Sequence, residues 1–212
     1  EEIRMGLRTF DTSFFQSPGR TNVYNEHPFK VILDYAHNPA GLRAMAELAD
    51  RLDPAGKRIL AFSIPGDRRD RDIRESVKAC LPQFTHFVCK ADKNRRGRGH
   101  DEVPQLIRSY LIELGVAEAN ISVVADEEPA VNYALSMAEE GDLLVITADD
   151  LQRTWKQIIN LNSDKLQNRK TIPGTKMFVP ELEKRYVLDQ DEALIIDERG
   201  VRLARSEPED AD

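Results

Sequence analysis

Short apolar runs alternate with segments of helical period along most of this chain, and that alternation leaves few folds open. The runs are Val31-Ile32-Leu33, residues 58–64, 84–89, 121–124 and 143–147. Between them, 41–52 places Leu42, Met45, Leu48, Ala49 and Leu52 on one face. Segment 70–81 does the same with Ile73, Val77, Cys80 and Leu81, and 101–114 with Val103, Leu106, Ile107, Tyr110 and Leu114. Segments 129–138 and 151–161 read as two further helices. Strand runs that are apolar throughout suit parallel strands covered on both faces. Strands alternating with helices imply right-handed crossovers in one sheet. The expectation is an α/β fold: a Rossmann-like, mostly parallel sheet flanked by helices over residues 22–162, with Asn22–Tyr24 and Phe29–Leu33 as an opening hairpin.

The flanks read differently. Residues 1–21 lack a sustained period and end in Ser17-Pro18-Gly19-Arg20, as a short junction and the end of a preceding domain would. Residues 163–180 read as a connector. Apolar stretches at 185–188, 193–196 and 201–204 suggest a small antiparallel appendage, so 163–205 forms one unit of connector and appendage. The acidic tail 206–212 is expected to be disordered. The chain opens Glu1-Glu2-Ile3-Arg4, with neither an initiator Met nor the apolar core of a secretory signal, and reads as a piece of a longer protein. No apolar run approaches the roughly 18 residues of a membrane span. A net charge of −7 argues against nucleic acid as a partner of the whole surface. Cys80 and Cys89 have no metal-ligand spacing and read as small buried hydrophobes, which fits a reducing, cytoplasmic setting.

In such a sheet the loops at the carboxyl ends of the strands collect the functional groups. The first loop is Asp34-Tyr35-Ala36-His37-Asn38-Pro39. An acid there can hold a ribose hydroxyl or a hydrated metal, and the imidazole and amide can bond phosphate oxygens. Pro39 fits the first turn of a helix whose free N–H groups favour anions. Asp34 is also an ordinary turn former, and His37 an ordinary loop anchor. The second loop carries Gly66-Asp67-Arg68-Arg69, where an arginine can grip a polyphosphate bidentately. Its charges could equally be solvated. Residues 90–100 set Lys90, Lys93, Arg95, Arg96 and Arg98 against one acid, Asp92. That loop is a solvated turn, an anion patch, or a pocket for a carboxylate-rich substrate. It lacks the interleaved aromatics on which single-stranded nucleic acid stacks. The chain contains no Gly-x-x-x-x-Gly-Lys-Ser/Thr loop, no Gly-x-Gly-x-x-Gly fingerprint, no Gly-x-Ser-x-Gly elbow and no paired-histidine zinc motif. A non-catalytic module that uses its basic loop to bind an acidic polymer therefore stays open.

Asp34-Tyr35-Ala36-His37-Asn38-Pro39 resembles the motif that opens the C-terminal domain of the Mur ligase family, whose ATP-dependent members join an amino acid to a carboxylate. Gly66-Asp67-Arg68 resembles the family's Gly-Asp-Arg near the nucleotide. Residues 94–97, Asn-Arg-Arg-Gly, depart from the Asp-Asn-Pro-Arg of the diaminopimelate-adding enzyme, so that specificity does not carry over. Phe14–Arg20, Tyr35–Leu42 and Thr147–Lys156, with the loops between them, are most similar to the branch that polymerises aspartate and arginine. The resemblance spans about residues 3–161 and implies the C-terminal lobe of such a ligase. ATP would contact Arg20, Asp34, His37 and Asn38, with Asp67 and Arg68 close by, while Arg95, Arg96 and Arg98 would contact substrate. ATP and Mg2+ would be bound mainly by domains outside this chain, and no metal ligand or catalytic group is assigned to this lobe. The implied partners are the remaining domains of the same polypeptide and an aspartate/arginine polymer, within a homo-oligomer of the full-length protein and away from any membrane. Without the phosphate-binding loop, the isolated chain is expected to be inactive.

Overall fold

The computed structural model describes residues 13–81, 83–161, 192–197 and 200–205. The chain divides into two compact units, residues 1–164 and 165–212. The first holds β1 (Asn22–Tyr24), β2 (Lys30–Asp34), α1 (Pro39–Leu52), β3 (Arg58–Phe62), α2 (Asp70–Cys80), β4 (His86–Cys89) and α3 (Glu102–Glu113). A single 3-10 turn (Glu118–Asn120) leads into β5 (Ile121–Val123), α4 (Glu127–Met137), β6 (Leu143–Thr147) and α5 (Leu151–Ile159). The sheet runs β1-β2-β6-β3-β4-β5. β1 is antiparallel to β2 and every other pairing is parallel, as the alternating pattern predicts.

The apolar runs are continuous because consecutive residues point into two different cores. Ile32, Leu60, Phe62, Phe87, Cys89, Leu143 and Val145 face α1, α2 and α3 through Leu42, Met45, Ile73, Val77, Val103 and Ile107. Val31, Leu33, Ile59, Ala61, Val88, Leu144 and Ile146 face α4 and α5 through Ala130, Val131, Ala134, Leu135 and Ile158. Each fully buried Ile or Leu contributes about 1.5–3 kcal/mol by leaving water. Both cysteines are free and buried. Burial pushes the Cys80 thiol up, and the Cys89 thiol up to about 12, so neither ionises near neutrality.

Several boundaries move for local reasons. Helix α1 begins at Pro39, because Asn38 caps it by accepting the Gly41 N–H at 2.9 Å. Helix α4 begins at Glu127 rather than 129, since Pro129 falls within the first turn, where its missing N–H is harmless. β3 stops at Phe62, before Ser63, whose side chain turns to charged partners, and Pro65, which has no N–H to donate. Residues 13–21 lie against this unit. Phe14 stacks on Trp155 of α5 at 4.8 Å, and the Gly19 carbonyl accepts the Tyr35 N–H at 2.9 Å.

In the second unit β7 (Glu192–Asp197) pairs antiparallel with β8 (Gly200–Arg205). The expected stretch at 185–188 and the tail at 206–212 lie outside the described residues.

The topology fixes where a ligand can sit. β6 returns to lie between β2 and β3. After β6 the chain turns to α5 on one face, whereas after β2 and β3 it turns to α1 and α2 on the other. The loops therefore part at the carboxyl ends of these strands and open a crevice.

Candidate functional site

That crevice is lined by all the expected strand ends except that of β5. Tyr35, Ala36 and His37 follow β2, and Ser63, Pro65 and Arg68 follow β3. Asp92 and Arg96 come from the loop after β4, and Thr147, Ala148 and Asp149 from the end of β6.

Asp34, at 8% exposure, is turned into the protein. Its Oδ2 accepts the Thr21 N–H at 2.8 Å and the Thr21 hydroxyl at 3.3 Å, and its Oδ1 accepts the Ala36 N–H at 2.8 Å. Thr21 has φ 53°, a left-handed conformation that a β-branched residue rarely adopts. Asp34 holds that strained turn in place. The turn in turn sets the Arg20 guanidinium 6.0 Å from the centre of the Tyr35 ring, at the rim of the crevice. Arg20 makes no ion pair with the described residues, so its charge is available to an anion. His37 Nδ1 lies 2.9 Å from the Tyr35 carbonyl. A carbonyl only accepts, so Nδ1 donates to it, which leaves Nε2 for a ligand. Asn38 is exposed and serves as the helix cap.

The basic loop is less free than its composition implies. Arg95 donates to the Asp92 carbonyl and, at 2.8 Å, to Asp126. Arg98 donates to the Gly66 carbonyl at 3.0 Å, the Arg68 carbonyl at 2.9 Å, Asp70 at 2.7 Å and Glu102 at 2.9 Å. Both guanidinium groups tie the loop after β4 to its neighbours. Of the three arginines, Arg96 alone lines the crevice, and Asp67 holds it there at 3.1 Å. Arg68 lies beside it, 4.0 Å from Asp67. The structure thus brings together His37, Arg68 and Arg96 on the crevice wall with Arg20 at its rim. It places Asp34, Asn38, Asp67, Arg95 and Arg98 behind them as supports.

Gly66 marks where two of these loops touch. A methyl group there would run into the Arg95 carbonyl oxygen, which is backbone and cannot swing away. Gly66→Ala is expected to destabilise the protein by about 1–3 kcal/mol, measured by urea denaturation.

Beneath the crevice lies a buried ion pair. Lys90, 0% exposed, donates to Glu127 Oε2 at 2.8 Å and to Ser63 Oγ at 3.2 Å. Ser63 donates to Asp92 Oδ1. Glu127 also accepts the Asp149 and Asp150 N–H groups, each at 2.8 Å. Burial pushes the Glu127 carboxyl up, but the Lys90 ammonium and the two N–H groups outweigh it and hold the carboxyl below its ordinary 4.5. Its contribution to stability is therefore complete above pH 4.5 and is lost as pH falls through the lowered value. The stability gap between the parent and Glu127→Gln should be flat at neutral pH and shrink below pH 4.5 in denaturation series. The sequence places Lys90 among loop cations and gives Ser63 no role. An ammonium directly after a run of buried apolar residues was the signal available.

Residues 19–149 match the family described as Mur ligase, glutamate ligase domain. The chain belongs to the Mur ligase family. The matched segment contains all nine candidate residues. Cyanophycin synthetase of Synechocystis sp. is 37% identical over 158 residues, which is 74% of this chain and 18% of that protein. The UDP-N-acetylmuramoyl-L-alanyl-D-glutamate–2,6-diaminopimelate ligase of Aquifex aeolicus is 32% identical over 130 residues, 61% of this chain and 26% of that protein. This chain of the Mur ligase family thus spans about a fifth to a quarter of the length of these relatives. Among solved structures, the bifunctional folylpolyglutamate synthase/dihydrofolate synthase of Yersinia pestis complexed with AMPPNP and Mn ion has a TM-score of 0.56 at 21% identity. The match covers 74% of this chain and 33% of that one, and shows the shared fold. Among the described residues no helix is long and apolar enough to cross a membrane.

Proposed function

We propose that this chain is the C-terminal lobe of an ATP-dependent ligase that adds arginine to aspartate side-chain carboxylates, as a cyanophycin synthetase does. The observation that carries the reading is the 37% identity to cyanophycin synthetase over 158 residues. The chemistry of the crevice fits it. Arg20, Arg68 and Arg96 offer guanidinium groups to a polyphosphate, and His37 adds a polar nitrogen. Asp92 and Asp149 offer carboxylates to a cationic amine. ATP is a substrate of this reaction. Its γ-phosphoryl group passes to the aspartate carboxylate, giving an acyl phosphate and ADP. The neutral amine then attacks the carbonyl, the C–N bond forms, the C–O bond to phosphate breaks, and a proton leaves the nitrogen. Mg2+ bound with the nucleotide would neutralise its charge. Among the described residues no group of three or more His, Cys, Asp or Glu side chains is gathered to hold a metal, and we assign that ion to domains beyond this chain. The lobe's share is positioning and charge stabilisation, with closure that shuts out water.

The full-length protein tests this. ADP release is followed with an aspartate/arginine primer while arginine, lysine, glutamate or diaminopimelate is added in turn. Arginine-dependent turnover is expected. Turnover with glutamate or diaminopimelate but not arginine would keep the ligase class and replace the substrate, a result the Aquifex relative makes worth including. No turnover with any amine would favour a non-catalytic domain that binds an acidic polymer. Residues 1–212 alone are expected to release no ADP under the same conditions.

A further inference from the structure

We infer that the buried Lys90–Glu127 pair, acting through Ser63, is a positioning device that sets the acidic wall of the crevice for the incoming amine. The inference rests on the ligase reading above. A buried ion pair is seldom more stabilising than apolar side chains of the same volume. Its presence beneath the crevice therefore calls for a second role, and the remaining bonds of each partner show one.

An ammonium has only donors. Lys90 therefore fixes Ser63 Oγ as an acceptor on that side, and the Ser63 hydroxyl must point its own hydrogen at Asp92 Oδ1. Asp92 Oδ2 has no partner among the described residues, and Asp92 lines the crevice. On the other side both Glu127 oxygens hold the backbone of Asp149 and Asp150. One buried pair thus sets the two carboxylates of the crevice wall, Asp92 and Asp149. The wall of Arg96 and His37 is held by other groups: Arg96 by Asp67, and His37 by the Tyr35 carbonyl. Two carboxylates attract an amine and repel a polyphosphate, so the pair serves the amine site and leaves the ATP site to the other wall.

The test uses the full-length protein carrying Lys90→Met together with Glu127→Leu, which replaces the pair by apolar groups of similar size. The KM for the amine is expected to rise by about tenfold or more, with the KM for ATP within about twofold of the parent. Ser63→Ala, which keeps both charges of the pair, should raise the amine KM in the same direction, with a lowered thermal midpoint because the buried Lys90 loses one acceptor. It decides the matter if the double variant does not fold. Unchanged KM values in folded variants, or equal rises for both substrates, would overturn the inference and leave the pair a purely structural feature. A second readout needs no activity. In folded Lys90→Met/Glu127→Leu the Asp149 and Asp150 amides should exchange with deuterium about tenfold faster than in the parent while those of β6 do not, and in Lys90→Met/Glu127→Gln, which keeps one acceptor oxygen, at least one of the two should do so. Unchanged exchange would overturn the inference even if the parent had no ligase activity, an outcome that by itself would count against the ligase reading alone.

Discussion

Lys90→Met is expected to destabilise the protein by about 3–5 kcal/mol, because it leaves the Glu127 carboxylate buried without its counter-charge. Lys90 is 0% exposed and Glu127 8%, so water cannot take the lost partner's place. The N–H groups of Asp149 and Asp150 still solvate Glu127 in part, which places the loss toward the lower end of that range. Lys90→Met with Glu127→Gln should recover most of the loss, since no charge is then buried and the Gln carbonyl still accepts one N–H. Denaturant titrations of the parent, the single variant and the double variant at neutral pH check this. A single variant as stable as the parent would mean that the two charges are not both present in the folded protein.

Asp34→Ala is expected to lower the amine-dependent turnover of the full-length ligase by about a hundredfold or more, because the loops it holds would lose their fixed geometry. The carboxylate bonds three donors from two loops at once: the N–H and hydroxyl of Thr21 and the N–H of Ala36. Removing it leaves the strained Thr21 turn unsupported, and with it the seat of Arg20. It also frees the start of the loop that carries His37. Each buried N–H left without an acceptor costs about 1–3 kcal/mol. Asp34→Asn keeps one acceptor oxygen and should lose less, both in turnover and in denaturation midpoint. Retained turnover in Asp34→Ala would show that the crevice tolerates movement of its first loop.

The fold was legible in the sequence because both faces of the sheet are covered, and an unbroken run such as Leu143–Thr147 has no other stable home. The crevice was legible to the extent that strand ends in an α/β sheet collect ligand-binding groups. What the sequence concealed was which charges are spent inside the protein. Residues 90–100 look strongly basic when read in order, yet Asp67, Asp70, Glu102 and Asp126 come from other segments to pair with Arg95, Arg96 and Arg98. Such pairing is a property of loop convergence, and no local window contains it. Asp34 was visible as a candidate, but its bonds to Thr21 depend on residues 13–21 folding back onto the domain. Lys90 and Glu127 were hidden for the same reason: each is an ordinary charged residue in its own segment, and only the parallel register of β3, β4 and β6 sets them beneath one crevice.

We propose that this lobe belongs to a ligase that activates a carboxylate as an acyl phosphate before the amine attacks. This is tested most directly by giving the full-length protein a primer whose aspartate side-chain carboxylates carry 18O, together with ATP and arginine, and by measuring the isotope in the released phosphate. Each amide bond formed is expected to deliver one 18O atom to inorganic phosphate, in proportion to the arginine incorporated. Amide formation with all of the label retained in the polymer or lost to water, or ATP turnover that ignores arginine, would contradict it.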